Sequence, residues 1–370
     1  MSVQDRDRRW VARLIAEERL AAAVLLVAGA IGIIGAQMLG ATATHTLLHP
    51  HIAGRILDLP WFAADGLLVT FFFVAGLELR HEFTKGSLTS VRAAMVPSVA
   101  AAFGMLVPAL LFLMLAPGSA RAAWGVPMAT DLPLALALVA VAGRGLPLRF
   151  RAFILSLAIV DDALSILVIA VVFGGRISIP WLALTALLVV AYAKTQQRSN
   201  ALAAVVAIAA WLAMLHTGIH ATVLGVALGL ITGRQTDTWR NRWQPFAGLV
   251  AVPLFVLTSL ALPLSTSDIN PRLITGITLA RIIGKPLGIM VGAMLAVRLF
   301  KPNDSLPARA YAVAGSVAGL GFSVPMLFAD LGLQSPLVES VKIAIVAALV
   351  GCGAVAAVAL TCLRRTALAR

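Results

Sequence analysis

Two adjacent aspartates, Asp161 and Asp162, interrupt the apolar run LAIVDDALSILVIA, which extends from Leu157 to Ala170. A carboxylate at the centre of a membrane-spanning helix costs about 2.5–3.5 kcal/mol on the insertion scale, so a charge kept there marks function by default. Few other ionisable residues fall in apolar runs. They are Asp65 and Glu78 in Pro60–Leu79, Asp131 in Ala122–Gly143, and Arg281 and Lys285 in Leu273–Leu299. Successive helical residues point about 100° apart, so Asp161 and Asp162 project differently, one to a cavity and the other to a neighbouring helix. Lys285 is the natural partner for one of them. A purely structural Asp–Lys pair would explain one carboxylate and leave the second unexplained. Carboxylate oxygens suit hard cations. Burial and a like charge next door make protonation compete with cation binding, and such a pair titrates as a unit. The chemistry on offer is a site for which a proton and a hard cation such as Na+ compete.

The elements that must position these groups are membrane helices. The chain has 370 residues, 60% hydrophobic and 12% charged, against roughly 25% charged in soluble domains. Apolar runs of about 20 residues recur, which predicts an all-α polytopic membrane protein with about 12 transmembrane helices. The expected spans are Leu20–Gly40, Pro60–Leu79, Ala93–Ala116, Ala122–Gly143, Phe150–Phe173, Pro180–Ala193, Ala201–Leu215, Gly218–Ile231, Phe246–Leu264, Leu273–Leu299, Ala310–Leu331 and Val341–Leu363. Of the 29 Lys and Arg residues, 22 fall in alternate connections that include both termini and 5 in the other set, Arg281 and Lys285 being the remainder. The positive-inside rule then puts both termini in the cytoplasm. The net charge of +13 is read as this topology signal. No basic patch interleaves with aromatic residues, which argues against a nucleic-acid partner; the membrane lipid is the partner surface. Residues 1–19 form a basic, helical tail. The apolar stretch that follows is longer than the roughly 7–15 residues of a signal-peptide core, so it is read as a retained span. A single transmembrane domain covers 20–363, with a tail at 364–370. Cys352 and Cys362 lie in the last apolar segment without a C-x-x-C pattern and read as small buried hydrophobes; no cofactor is implied.

Two spans look broken. WGVPMATDLPLALALV carries Gly125, Pro127 and Pro133 around Asp131, and SVAGLGFSVPMLF carries Gly319, Gly321 and Pro325. One Gly/Pro-interrupted span in each half points to an inverted-repeat transporter; the alternative is a pair of proline kinks. Asp131 either compensates the dipole ends of broken helices or caps a helix, and the two roles are compatible. Lys285 sits in IIGKPLGIM, with Arg281 one turn earlier on the same face, and two cations there repel unless a carboxylate comes between. His216 and His220 in HTGIH have the spacing of a metal pair but no evident third ligand, which leaves a structural or proton-sensing histidine. Glu78, His81 and Glu82 in GLELRHEF are either solvated anchors at a span end or part of a pH-sensing charged funnel.

Taken together, GLELRHEFTKGSL, VPALL, ATDLPLALALVA, LAIVDDALSILVIA, GIHATVLGVALG, GKPLGI and GLGFS, in this order and spacing, resemble the NhaA-type Na+/H+ antiporter family over nearly the whole chain past the N-terminal tail. The resemblance implies a 12-helix inner-membrane fold with inverted repeats and two discontinuous crossing helices. It implies a transporter, not an enzyme, exporting Na+ or Li+ for more than one H+. Asp162 would be the main cation and proton carboxylate and Asp161 its partner, able to pair with Lys285. Thr130 and Asp131 would lie at the crossing. Glu78, Glu82, His220 and Asp65 would belong to pH response or the cytoplasmic funnel. Homodimers are frequent in such proteins. This chain departs from the family in three places: VPLFVLTSLALPLS in the ninth span lacks an Asn, Arg281 replaces an apolar residue, and Pro325 is unusual. Two rivals are weaker. A membrane enzyme is the first: prenyl transfer would need an acid where Ser165 stands, and intramembrane aspartyl proteolysis would need an acid where Phe322 stands in GLGF. A cation-coupled organic-anion symporter of similar fold is the other alternative.

Overall fold

A computed structural model describes residues 3–368 except 53–54, 87–88, 90, 117, 144, 234, 262–269, 303–304 and 334–336. Arg144, Arg234 and Arg370, counted above, lie outside the described residues, as does the 262–265 end of the ninth-span motif. The helices are α1 Val3–Leu48, α2 Leu59–Thr84, α3 Val91–Leu115, α4 Leu132–Ala142, α5 Leu148–Val172, α6 Ile179–Thr195, α7 Asn200–Met214, α8 Thr222–Ile231, α9 Thr236–Leu260, α10 Pro271–Phe300, α11 Ala308–Ala318, α12 Ser323–Gly332 and α13 Leu337–Leu368. A two-residue antiparallel pair, β1 His51–Ile52 with β2 Arg55–Ile56, follows α1.

Among the described residues, seven helices are long and apolar enough to cross a membrane, or eight if α11 and α12, bent by 60° at a short break, count as one span. The apolar segments at α4, α6, α7 and α8 form helices of 10–17 residues, shorter than the roughly 20 residues a span needs. Length and composition therefore support seven to eight of the twelve expected spans.

Local chemistry sets the boundaries. Gly40, at φ 77°, kinks α1 where the first span was expected to end. Asp58 caps α2 by accepting from Trp61 N at 2.9 Å, with Pro60 in the first turn where its missing N–H costs nothing. Asn270 caps α10 through Arg272 N and Leu273 N. Three helices contain π-helical turns, at Phe62–Leu67, Ala247–Ala251 and Ala280–Gly284. Such turns concentrate at functional sites, and Asp65 and Arg281 each sit on one.

The chain forms two units. The first contains Met1–Ile31, Ser90–Asp161 and Leu264–Arg370, and the second Gly32–Thr89 and Asp162–Pro263. In the first unit α3 packs along α10. Gly284, Gly288 and Gly292, spaced by four, let the backbones touch: a Cβ on Gly284 would stand 2.8 Å from Pro108 Cα, and one on Gly292 2.7 Å from Phe103 Cβ. In the second unit α2 packs on α8 in the same way, and a Cβ on Gly229 would stand 2.7 Å from Leu77 N. Small residues four apart are the membrane solution to close helix packing, because lipid supplies no hydrophobic drive between helices. A Gly229→Val substitution should therefore destabilise the protein by about 1–3 kcal/mol through overpacking. The check is the thermal unfolding of the purified protein in detergent, where a wild-type melting temperature would mean that α2 and α8 are not closely packed.

Candidate functional site

The site begins with a backbone that cannot stay helical. After a 3-10 segment at Gly118–Gly125, the chain turns through 126–128, with Met128 N donating to Gly125 O at 3.2 Å, and reaches Asp131 in an extended conformation (φ −111°, ψ 114°) before α4 starts at Leu132 with Pro133 in its first turn. On the other side, α11 ends at Ala318 and α12 starts at Ser323. Pro325 falls in the first turn of α12, where a proline is tolerated without loss of a helical hydrogen bond. The two interruptions satisfy one another. Asp131 N donates to Leu320 O at 2.8 Å and Thr130 Oγ1 to Ala318 O at 2.7 Å. Asp131 stands at the capping position of α4, yet its carboxylate makes no bond to that helix. It accepts instead from Phe322 N, Ser323 N and Ser323 Oγ, and so caps α12. Both roles expected for Asp131 are thus combined on one half-helix.

The two cations of α10 meet the carbonyl side of the same interruption. Lys285 Nζ donates to Met128 O and pairs with Asp161, 3.0 Å from Oδ1 and 3.1 Å from Oδ2. Arg281, fully buried, donates from Nη2 to Ala129 O at 3.1 Å. Asp161 therefore pairs with the lysine, and among the described residues Arg281 has no carboxylate within ion-pair distance. Asp162, the next residue on α5, is buried as well. Asp161 closes the first unit and Asp162 opens the second.

The remaining residues lie in the second unit. His220 Nε2 is 3.5 Å from Asp65 Oδ1, its Nδ1 is 2.9 Å from Thr222 Oγ1, and Trp211 Nε1 donates to Asp65 O. His216 instead stacks on Trp181. The histidines have separate partners, and among the described residues no group of three metal-ligating side chains forms. Glu82 is buried and Glu78 half-buried, which corrects the solvated-anchor reading of that cluster. Asp237 organises its aqueous end, 2.9 Å from His81 Nδ1 and 2.8 Å from Lys85 Nζ. A polar cavity of about 710 Å³ opens there, lined by Arg80, His81, Lys85, Gln196, Gln235 and Asp237.

Sequence reasoning missed Ser323, Asp237 and the Met128 and Ala129 carbonyls. Ser323 was visible inside GLGFS as a hydroxyl placed after two glycines, and Asp237 as an acid opening a helix beside a basic loop. Nothing in the sequence reports which carbonyls an interrupted backbone exposes. Removing the Asp131 side chain would leave the Phe322 and Ser323 N–H groups buried without an acceptor, a loss of about 1–3 kcal/mol for each group. Asp131→Ala should accordingly melt well below Asp131→Asn, which keeps an acceptor oxygen. Equal melting temperatures in detergent would show that the carboxylate does not hold the two interruptions together.

The model of the family described as Na+/H+ antiporter 1 matches residues 12–360. The Na(+)/H(+) antiporter NhaA 1 of Saccharopolyspora erythraea is 35% identical over 91% of this chain and 88% of its own length. The Na(+)/H(+) antiporter NhaA of Frankia casuarinae is 35% identical over 92% and 84%. That of Cutibacterium acnes is 38% identical over 74% and 70%. With its apolar helices, its interrupted backbones and a match running nearly end to end, this polytopic membrane chain belongs to the Na+/H+ antiporter family.

Proposed function

We propose that the protein exports Na+, or Li+, across a bacterial inner membrane in exchange for H+, with the ions competing at Asp162 and Asp161. One observation carries this reading. A buried carboxylate, Asp161, is matched by a buried lysine beside interrupted backbone, while a second buried carboxylate follows it directly in sequence. Asp162 binds the cation when ionised and a proton otherwise. Asp161 exchanges partners between Lys285 and the cation. With more than one proton moved per Na+, the cycle is electrogenic. Oxygen ligands on a hard cation are the chemistry expected for Na+. Asp131 and Thr130 hold the crossing of two discontinuous helices that such a site requires.

The twelve-span inverted-repeat topology is part of the proposal. Eight long or bent spans and four shorter apolar helices support it, and the 22-to-5 bias of basic residues supports cytoplasmic termini. The Asp65–His220 pair, Glu78 and Glu82 on α2, and Asp237 at the polar cavity are assigned to pH response. A homodimer within the lipid bilayer is the proposed assembly.

The test is exchange in proteoliposomes, read as collapse of an imposed pH gradient on addition of Na+, Li+ or K+ with no organic substrate present. Wild type should respond to Na+ and Li+. Asp162→Asn should fall to background while remaining folded and membrane-inserted. Full activity in that variant removes Asp162 from the site, and a gradient that collapses only with an added organic anion favours a symporter instead.

A further inference from the structure

Arg281 is the feature that the proposed exchange cycle leaves unused. It is fully buried on the π-helical turn Ala280–Gly284, and only its Nη2 has a hydrogen-bond acceptor, the Ala129 carbonyl. Its Nε and Nη1 have no partner among the described residues. A buried donor left unpaired costs about 1–3 kcal/mol, more for a charged group, so an arginine kept only for stability would be expected to be saturated. The pocket is nonetheless shaped around it. The guanidinium lies against Gly321, where any side chain would overlap its Nη2.

Its surroundings make it a surplus cation. Asp161 is held by Lys285, and Asp131 is satisfied by the N–H groups and hydroxyl that start α12. Asp161 and Asp131 lie at longer range from Arg281, and Cys352 of α13 is the other ionisable group near it. The faces of α3 and α11 that pack on this stretch of α10 meet it through Pro108 and Gly315, neither ionisable. A guanidinium in a protein does not lose its proton. The first unit thus holds a permanent positive charge one helical turn from Lys285, whose partner Asp161 is the carboxylate that the proposed function has exchanging between that lysine and the cation.

We propose that Arg281 is a positioning residue that anchors the Ala129 carbonyl and, by its fixed charge, weakens the hold of the site on Na+. The consequence is a half-saturating Na+ concentration higher than the same carboxylates would set alone, which suits a carrier that must release its ion. This inference rests on the antiport reading for its identification of the ion.

The experiment compares wild type, Arg281→Lys and Arg281→Gln in proteoliposomes, measuring the initial exchange rate against Na+ concentration. Gln keeps a donor for Ala129 and removes the charge, while Lys keeps the charge. The expected result is a half-saturating Na+ concentration lowered about three- to thirty-fold in Arg281→Gln, as loss of a nearby charge in a poorly solvated core predicts, and unchanged within about twofold in Arg281→Lys. A reduced maximal rate with unchanged half-saturation in Arg281→Gln means a structural role and overturns the proposal. So does a fold that survives only with a cation at this position. If wild type shows no exchange, the antiport reading fails. The same comparison is then made by radiolabelled Na+ binding to the detergent-solubilised protein, where equal affinities in wild type and Arg281→Gln overturn this inference independently.

Discussion

Backbone left without a helix has no water to turn to inside a membrane, and this constraint organises the first unit. Each unmet N–H or C=O in hydrocarbon costs several kcal/mol, so the interruption at 126–131 and the one at 319–322 must find partners within the protein. They find them in each other and in charged side chains. Asp131 accepts from the N–H groups that open α12, while Lys285 and Arg281 donate to the carbonyls of Met128 and Ala129. The signs follow the helix macrodipole, with an anion at a helix start and cations at exposed carbonyls. Four of the ionisable groups that looked costly in the sequence are therefore held by the backbone they repair or by each other.

That arrangement requires helices to come very close, and the glycine rows provide the approach. Lys285 and Arg281 reach the 128–129 carbonyls from α10, which is itself pressed against α3 through Gly284, Gly288 and Gly292. The π-helical turn at 280–284 adds one residue to the helical repeat. It carries Arg281 at the point where the helix meets the interruption.

The sequence disclosed the apolar segments well and the site unevenly. The boundary of α5 was expected at Phe150–Phe173 and is Leu148–Val172, because hydropathy and flanking charge act locally. That Lys285 pairs with one of the two aspartates was legible because so few charges compete inside apolar runs; that the partner is Asp161 was implied only by the family resemblance. The capping of α12 by Asp131 was not, since a side chain at the start of one helix reveals nothing about a second helix 192 residues away in the chain. Glu82 misled for a related reason: a carboxylate near a span end is usually solvated, and only packing against Gly86 shows this one to be buried. The pairing of Asp65 with His220 depends on a π-helical turn that residue pattern does not report.

The Asp161–Lys285 pair bears on function because it is a poor device for stability. Exchanging a buried ion pair for apolar residues of similar volume is commonly neutral or stabilising by about 1–4 kcal/mol, whereas deleting one partner costs about 3–5 kcal/mol. A chain under pressure for stability alone would be expected to lose both members together. This one keeps both, sets a further carboxylate beside the first, and adds a guanidinium that is itself short of hydrogen bonds. Each addition increases the electrostatic burden of the core without adding to its packing. Under the proposed antiport, what such a core gains is a set of charges whose balance changes when an ion or a proton arrives, with a lysine already in contact with one of the two carboxylates.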